Sequence, residues 1–122
     1  MSEKNDNNKP IFFEEFDNND TFTIKKEDIV NQTKEVFDPE IPVNIYDLGL
    51  IYEIRINDEK KVKIEMTLTS PNCPVAESLP QEVSQKIKKL SSMTSLAVYL
   101  TFDPPWDQDM MSEDAKLALD IT

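Results

Sequence analysis

The side chain with the most chemistry to offer is Cys73, in the run Thr69-Ser70-Pro71-Asn72-Cys73-Pro74. Proline suits the first position of a helix, so Pro74 places Cys73 at an expected N-cap. There, free backbone N–H groups and the helix dipole favour the thiolate, the nucleophilic and metal-binding form of the side chain. Asn72 accepts the left-handed conformation such a turn can need, and Thr67, Thr69 and Ser70 bring hydroxyls nearby. The bland alternative is a small buried apolar side chain. Local sequence leaves the two open. A second candidate is acidic: Asp38, Glu40 and Asp47 lie in or just after Asp38-Pro39-Glu40-Ile41-Pro42-Val43, a loop stiffened by two prolines. Carboxylates held this way can bind a hard or borderline cation. Ordinary turn chemistry accounts for them more simply when residue types alone are considered. Trp106, after Pro104-Pro105, suits a hydrophobic clamp on the C-terminal segment or, if exposed, a partner contact.

Absences narrow the chemistry. The 122 residues include no His, one Cys and one Gly. Without imidazole there is no Ser-His-Asp triad and no Cys-His pair, so Cys73 has no conventional base and the chain reads as a non-enzyme. One Cys forms no internal disulfide and no self-contained zinc or iron–sulfur site. One Gly is too few for a dinucleotide-binding turn or a phosphate loop.

The net charge is −11, against what phosphate backbones or anionic membranes attract, so neither nucleic acid nor membrane is an expected partner. Residues 1–20 carry six acids and two lysines; residues 103–122 carry six acids and one lysine; the stretch between is close to neutral. No run approaches the ~20 apolar residues of a membrane span. The start Met1-Ser2-Glu3-Lys4-Asn5-Asp6 lacks the apolar core of a signal peptide. The expected location is cytoplasmic, with a reduced thiol.

The elements that must position these residues follow from periodicity. Residues 1–24 read as an acidic extension, disordered at its start, with Phe12, Phe13, Phe16 and Phe22 interleaved with carboxylates. Such aromatics either pack on their own domain, the favoured reading, or dock a partner. Residues 25–122 form the domain proper. A helix is expected over residues 25–37, ended by Asp38-Pro39. Residues 44–50 read as irregular, with Gly49 marking a positive φ or a close approach. Residues 50–56 and 61–68 form a hairpin with one covered face. A helix over residues 75–90 carries the stripe Val75, Leu79, Val83, Ile87 and Leu90, kinked or started late by Pro80. Residues 96–102 form a third strand, and a short helix follows Ser112. The expected class is α+β, a mixed three-stranded sheet with helices on one face, in the order helix, hairpin, helix, strand, helix.

Three blocks then become recognisable: Asp38-Pro39-Glu40-Ile41-Pro42-Val43-Asn44-Ile45-Tyr46-Asp47-Leu48-Gly49-Leu50-Ile51-Tyr52, Met66-Thr67-Leu68-Thr69-Ser70-Pro71-Asn72-Cys73-Pro74 and Phe102-Asp103-Pro104-Pro105-Trp106. Their order and spacing resemble the SufT-like family of iron–sulfur assembly domains, to which the eukaryotic cytosolic iron–sulfur targeting subunit and the PaaD-like proteins belong. The resemblance covers about residues 25–120. It implies a compact α+β domain, usually self-associating, that helps mature iron–sulfur proteins. It ties function to Cys73, with Asp38, Glu40 and Thr67 bordering the same site. Many members have Gly where this chain has Asn72, which tolerates the same turn. Partners implied are the assembly machinery, client apo-proteins and a homodimer mate. A cluster normally takes four thiolates, so one bound here is transient and shared with a second chain, a small thiol or a partner. The alternative is a metal-free adaptor that docks through its acidic ends and Trp106.

Overall fold

The computed structural model describes residues 9–17, 23–38, 41–69, 78–90 and 92–119. Alternation of apolar and polar residues sets the sheet. In β2 (Ile51–Ile56) and β3 (Lys61–Met66), Ile54, Val62, Ile64 and Met66 are buried while Arg55 and Lys61 face solvent. The Asn57 side chain closes the turn between these strands, accepting from the backbone N–H groups of Glu59 and Lys61, both at 2.9 Å. β2 and β3 pair antiparallel. β4 (Ser95–Leu100) joins β3 in parallel, with Val62 opposite Leu96 and Ile64 opposite Val98.

Among the described residues the sheet has four strands and not three. Phe12–Glu15 forms an N-terminal strand, β1, antiparallel to β4 in a sheet of order β1-β4-β3-β2. The expected element order therefore gains a leading strand. The reason lies in β1's inward positions. Phe12 packs against the core, and the Glu14 carboxylate reaches Lys88 Nζ at 2.7 Å, so an ion pair holds a position that an apolar residue would otherwise mark. Phe12 and Phe16 pack on the domain's own core, Phe13 is exposed, and Phe22 lies outside the described residues.

Helix α1 (Lys26–Thr33) is shorter than the expected 25–37. Val36 and Phe37 leave it because the Val36 carbonyl accepts from Ile45 N–H at 2.8 Å and Phe37 bridges to Asn44, which fixes the approach to Asp38-Pro39. Helix α3 is described over Ser78–Lys88, with Pro80 in its first described turn, and buries Leu79, Val83 and Ile87. Val75 lies outside the described residues. α1 and α3 pack together over one face of the sheet around Ile29, Ile64, Leu96 and Val98.

Residues 45–48, expected as irregular, form a one-turn helix, α2 (Ile45–Leu48). A side chain caps its start and a left-handed backbone its end: Asn44 Oδ1 accepts from Asp47 N–H at 2.9 Å, and Gly49 closes it at φ 85°, ψ 23°. The last helix, α4 (Glu113–Ala118), begins at Ser112, whose hydroxyl accepts from Ala115 N–H at 3.1 Å, as its cap pattern predicts.

Candidate functional site

The described parts of the three recognisable blocks converge on α2 and the residues that follow it. Ile45, Leu48 and Leu50 are fully buried, which ties the turn to the core by roughly 1.5–3 kcal/mol per side chain. Gly49 is the pivot. A Cβ there would run into the Met110 carbonyl, so the glycine allows residues 103–112 to pass directly over the turn. Three hydrogen bonds hold that strap. Trp106 Nε1 donates to the Leu48 carbonyl at 2.6 Å, Ser112 N–H donates to the Asp47 carbonyl at 2.8 Å, and the Tyr52 hydroxyl donates to the Pro104 carbonyl at 2.7 Å. Trp106 is thus the clamp suggested by its setting, half-buried against the core.

Tyr52 is the residue that sequence reasoning missed. The β2–β3 register shifts between Ile51 and Glu53, so Tyr52 sits in a bulge and leaves the ladder. Bulges re-aim side chains beside functional sites, and this one aims the phenol at the strap. Burial pushes the Tyr52 pKa above the ordinary 10.0; the Asp107 charge adds to the rise, and a hydrogen bond with Thr67 opposes it. The aromatic ending the Leu50-Ile51-Tyr52 run was the available signal, but pairing alone creates the bulge.

Thr67 and Thr69 follow β3 directly. Thr67 is fully buried, its N–H donating to the Leu50 carbonyl at 2.8 Å; Thr69 is half-buried. Asp38 is buried, with Oδ1 accepting from Ile41 N–H at 2.9 Å, which closes the proline-stiffened loop. Asp47 Oδ2 accepts from Asn44 Nδ2 at 2.8 Å and completes the α2 cap. Both carboxylates thus have turn and cap work, as ordinary loop chemistry foresees. Cys73 and Glu40 lie outside the described residues. Among the described residues, no group of three or more metal-ligating side chains comes together, and no helix is long and apolar enough to cross a membrane. The structure joins Thr67, Tyr52, Asp47 and Trp106 around one turn.

The model of the iron-sulfur cluster assembly protein family matches residues 26–100. The chain is 46% identical over 101 residues to the Fe-S protein maturation auxiliary factor of Porphyromonas gingivalis, covering 83% of this chain and 96% of that protein. It is 36% identical over 87 residues to the Fe-S protein maturation auxiliary factor SufT of Staphylococcus aureus, covering 71% of this chain and 99% of that one. In fold it is similar to a crystal structure of the domain of unknown function DUF59 from Bacillus anthracis, with TM-score 0.72 and 30% identity over 80% of this chain and 92% of that one. This chain belongs to the iron-sulfur cluster assembly protein family, and the SufT-like resemblance read from its three blocks is borne out.

Proposed function

We propose that this protein is a non-catalytic accessory factor in cytoplasmic iron–sulfur cluster assembly or transfer to client apo-proteins, using Cys73 as a cluster or partner ligand. Family membership over residues 26–100 is the observation that carries this reading, since the relatives are named as maturation auxiliary factors. The assembly domain is assigned to residues 25–122, and the acidic extension of residues 1–24 adds β1 to its sheet.

The cluster is cargo. A cluster normally takes four protein thiolates and this chain has one, so the remaining ligands come from a second copy, a small thiol or the partner. Incomplete ligation suits handing on better than keeping. Asp38 and Glu40, the other ligands proposed, flank Pro39 in a loop whose Asp38 end is fixed by the bond to Ile41. Thr67 and Thr69 sit at the end of β3, and thus lead the chain toward Cys73. Asp47 and Trp106 act as positioning residues, holding α2 and the strap over it.

Anaerobic reconstitution with iron and sulfide, followed by absorption spectroscopy, tests the proposal. The wild type is expected to develop a sulfur-to-iron chromophore that Cys73→Ala lacks. Absence of a Cys73-dependent chromophore, together with undiminished client maturation by Cys73→Ala in cells, would sink it. That outcome would favour the metal-free adaptor, for which loss of residues 1–22, and not of Cys73, abolishes partner capture.

A further inference from the structure

Beside the α2 turn, an open cleft of about 580 Å³ lies between the sheet and the strap. It is shallow and open to solvent, a shape that takes a segment of another chain laid along it more readily than an enclosed small molecule. Ile51, the Tyr52 ring, Pro104 and Met110 give it an apolar lining, and Glu65 and Asp103 add two carboxylates with no cation among the lining residues.

The Glu65 charge is the unexplained feature. Glu65 stands directly opposite Glu53 in the β2–β3 register, an arrangement that destabilises a sheet. No ion pair reaches Glu65 itself among the described residues. Arg55 Nε is taken by Glu53 at 2.6 Å. Lys63, two residues along the same strand, lies over the Tyr99 ring at 5.0 Å from its centroid. Neither Glu65 nor Asp103 has an ion-pair partner among the described residues. Two carboxylates without a paired cation, set beside an apolar lining, point to a requirement outside the chain itself.

We infer that this cleft docks an extended segment of a client protein in which Lys or Arg neighbours an apolar side chain. The apolar residue fits between Tyr52, Pro104 and Met110, and the cation meets Glu65 and Asp103. Charge complementarity selects this occupant: a chain of net charge −11 steers cations toward itself, and the cleft gives them a defined seat. A bare divalent cation fits less well, because hard cations want six or more oxygen ligands and no third carboxylate, Cys or His joins the pair among the described residues. Tyr52, hydrogen-bonded to both the strap and Thr67, joins the cleft to the candidate site. The inference rests on the reading that the protein serves client apo-proteins, and it names how a client is held.

The test uses a fluorescein-labelled hexapeptide of alternating Lys and Phe, with a Glu and Phe counterpart, titrated into the full-length protein. Amide shifts are expected at Gly49, Ile51, Tyr52, Glu65 and Met110 with the Lys peptide and not with the Glu peptide. Glu65→Gln combined with Asp103→Asn is expected to weaken Lys-peptide binding roughly tenfold. Asp58→Asn combined with Glu59→Gln, the same charge change at the hairpin turn, is expected to leave it unaltered. Equal weakening by both pairs, shifts spread over the acidic surface, no binding, or displacement of the peptide by calcium acting on the same amides would each overturn the proposal. Cys73→Ala is expected to keep peptide binding, and the Glu65/Asp103 variant to keep the reconstituted chromophore, so failure of this inference and failure of the cluster reading remain distinguishable.

Discussion

Tyr52 shows how one hydroxyl couples three parts of the molecule. Its donation to the Pro104 carbonyl at 2.7 Å secures the strap, Thr67 contacts it from the end of β3, and Met110 Sδ lies 3.5 Å away. Burial, the largest cause, and the Asp107 charge raise its pKa above 10.0. Ionisation therefore costs more in the folded chain than in the unfolded one. The stabilisation is complete below the ordinary value of 10.0 and is lost as pH climbs through the raised folded value. Tyr52→Phe is expected to cost roughly 1 kcal/mol at neutral pH from the lost hydrogen bond. It is also expected to flatten the alkaline fall in stability relative to the wild type. Chemical denaturation at a series of pH values measures both, and the comparison cancels the lysines common to the two proteins. Parallel alkaline slopes in wild type and variant would remove the assignment.

At the scale of elements, β1 lies outside the matched residues 26–100 yet completes the sheet. It covers the edge of β4, whose Ser95–Leu100 run is mostly apolar, and presents Glu15 and Asp17 beside its own edge. Unpaired apolar edges recruit other chains, and charges blunt that tendency. Deleting residues 1–17 is expected to leave a folded domain with faster hydrogen exchange in β4 and concentration-dependent association in sedimentation. A truncated protein that sediments like the full chain, with unchanged β4 protection, would show that β1 is dispensable cover. The same strand marks where sequence reading fell short. β2, β3 and β4 were legible because one face of each is apolar at a period of two, and α4 because Ser112 precedes acidic residues. β1 was not, because Phe13 is exposed and Glu14 points inward to Lys88. α2 was hidden because four residues cannot display a helical period, although Asn44, Asp47 and Gly49 carry its caps. Within the site, the Trp106 clamp and the turn work of Asp38 and Asp47 could be read from residue types. The Tyr52 bulge could not, since it exists only once β2 and β3 pair.

For the whole molecule, the governing quantity is the net charge of −11, concentrated in the first and last twenty residues. The fold brings those ends onto one domain: β1 joins the sheet, and the C-terminal strap and α4 pack over α2. β1 lies at one edge of the sheet and the strap is bonded to Tyr52 of β2 at the other, so the described carboxylates of both ends sit on one small domain as like charges that repel. Ion pairs such as Lys61–Glu59 and Lys86–Glu35, both at 3.3 Å, lie at partly exposed side chains, where such pairs contribute about 0–1 kcal/mol each. Salt screens attraction and repulsion alike over a Debye length on the order of 10 Å at ~0.1 M. With acids outnumbering bases 24 to 13, repulsion is the larger of the two, so its screening dominates. The thermal midpoint is expected to rise as sodium chloride is added from low to moderate ionic strength, while binding of the Lys-containing peptide weakens over the same range. Calorimetric scans alongside peptide titrations give both curves. A midpoint that falls with salt would mean that the ion pairs, Lys88–Glu14 between α3 and β1 foremost, outweigh the repulsion of the acidic ends.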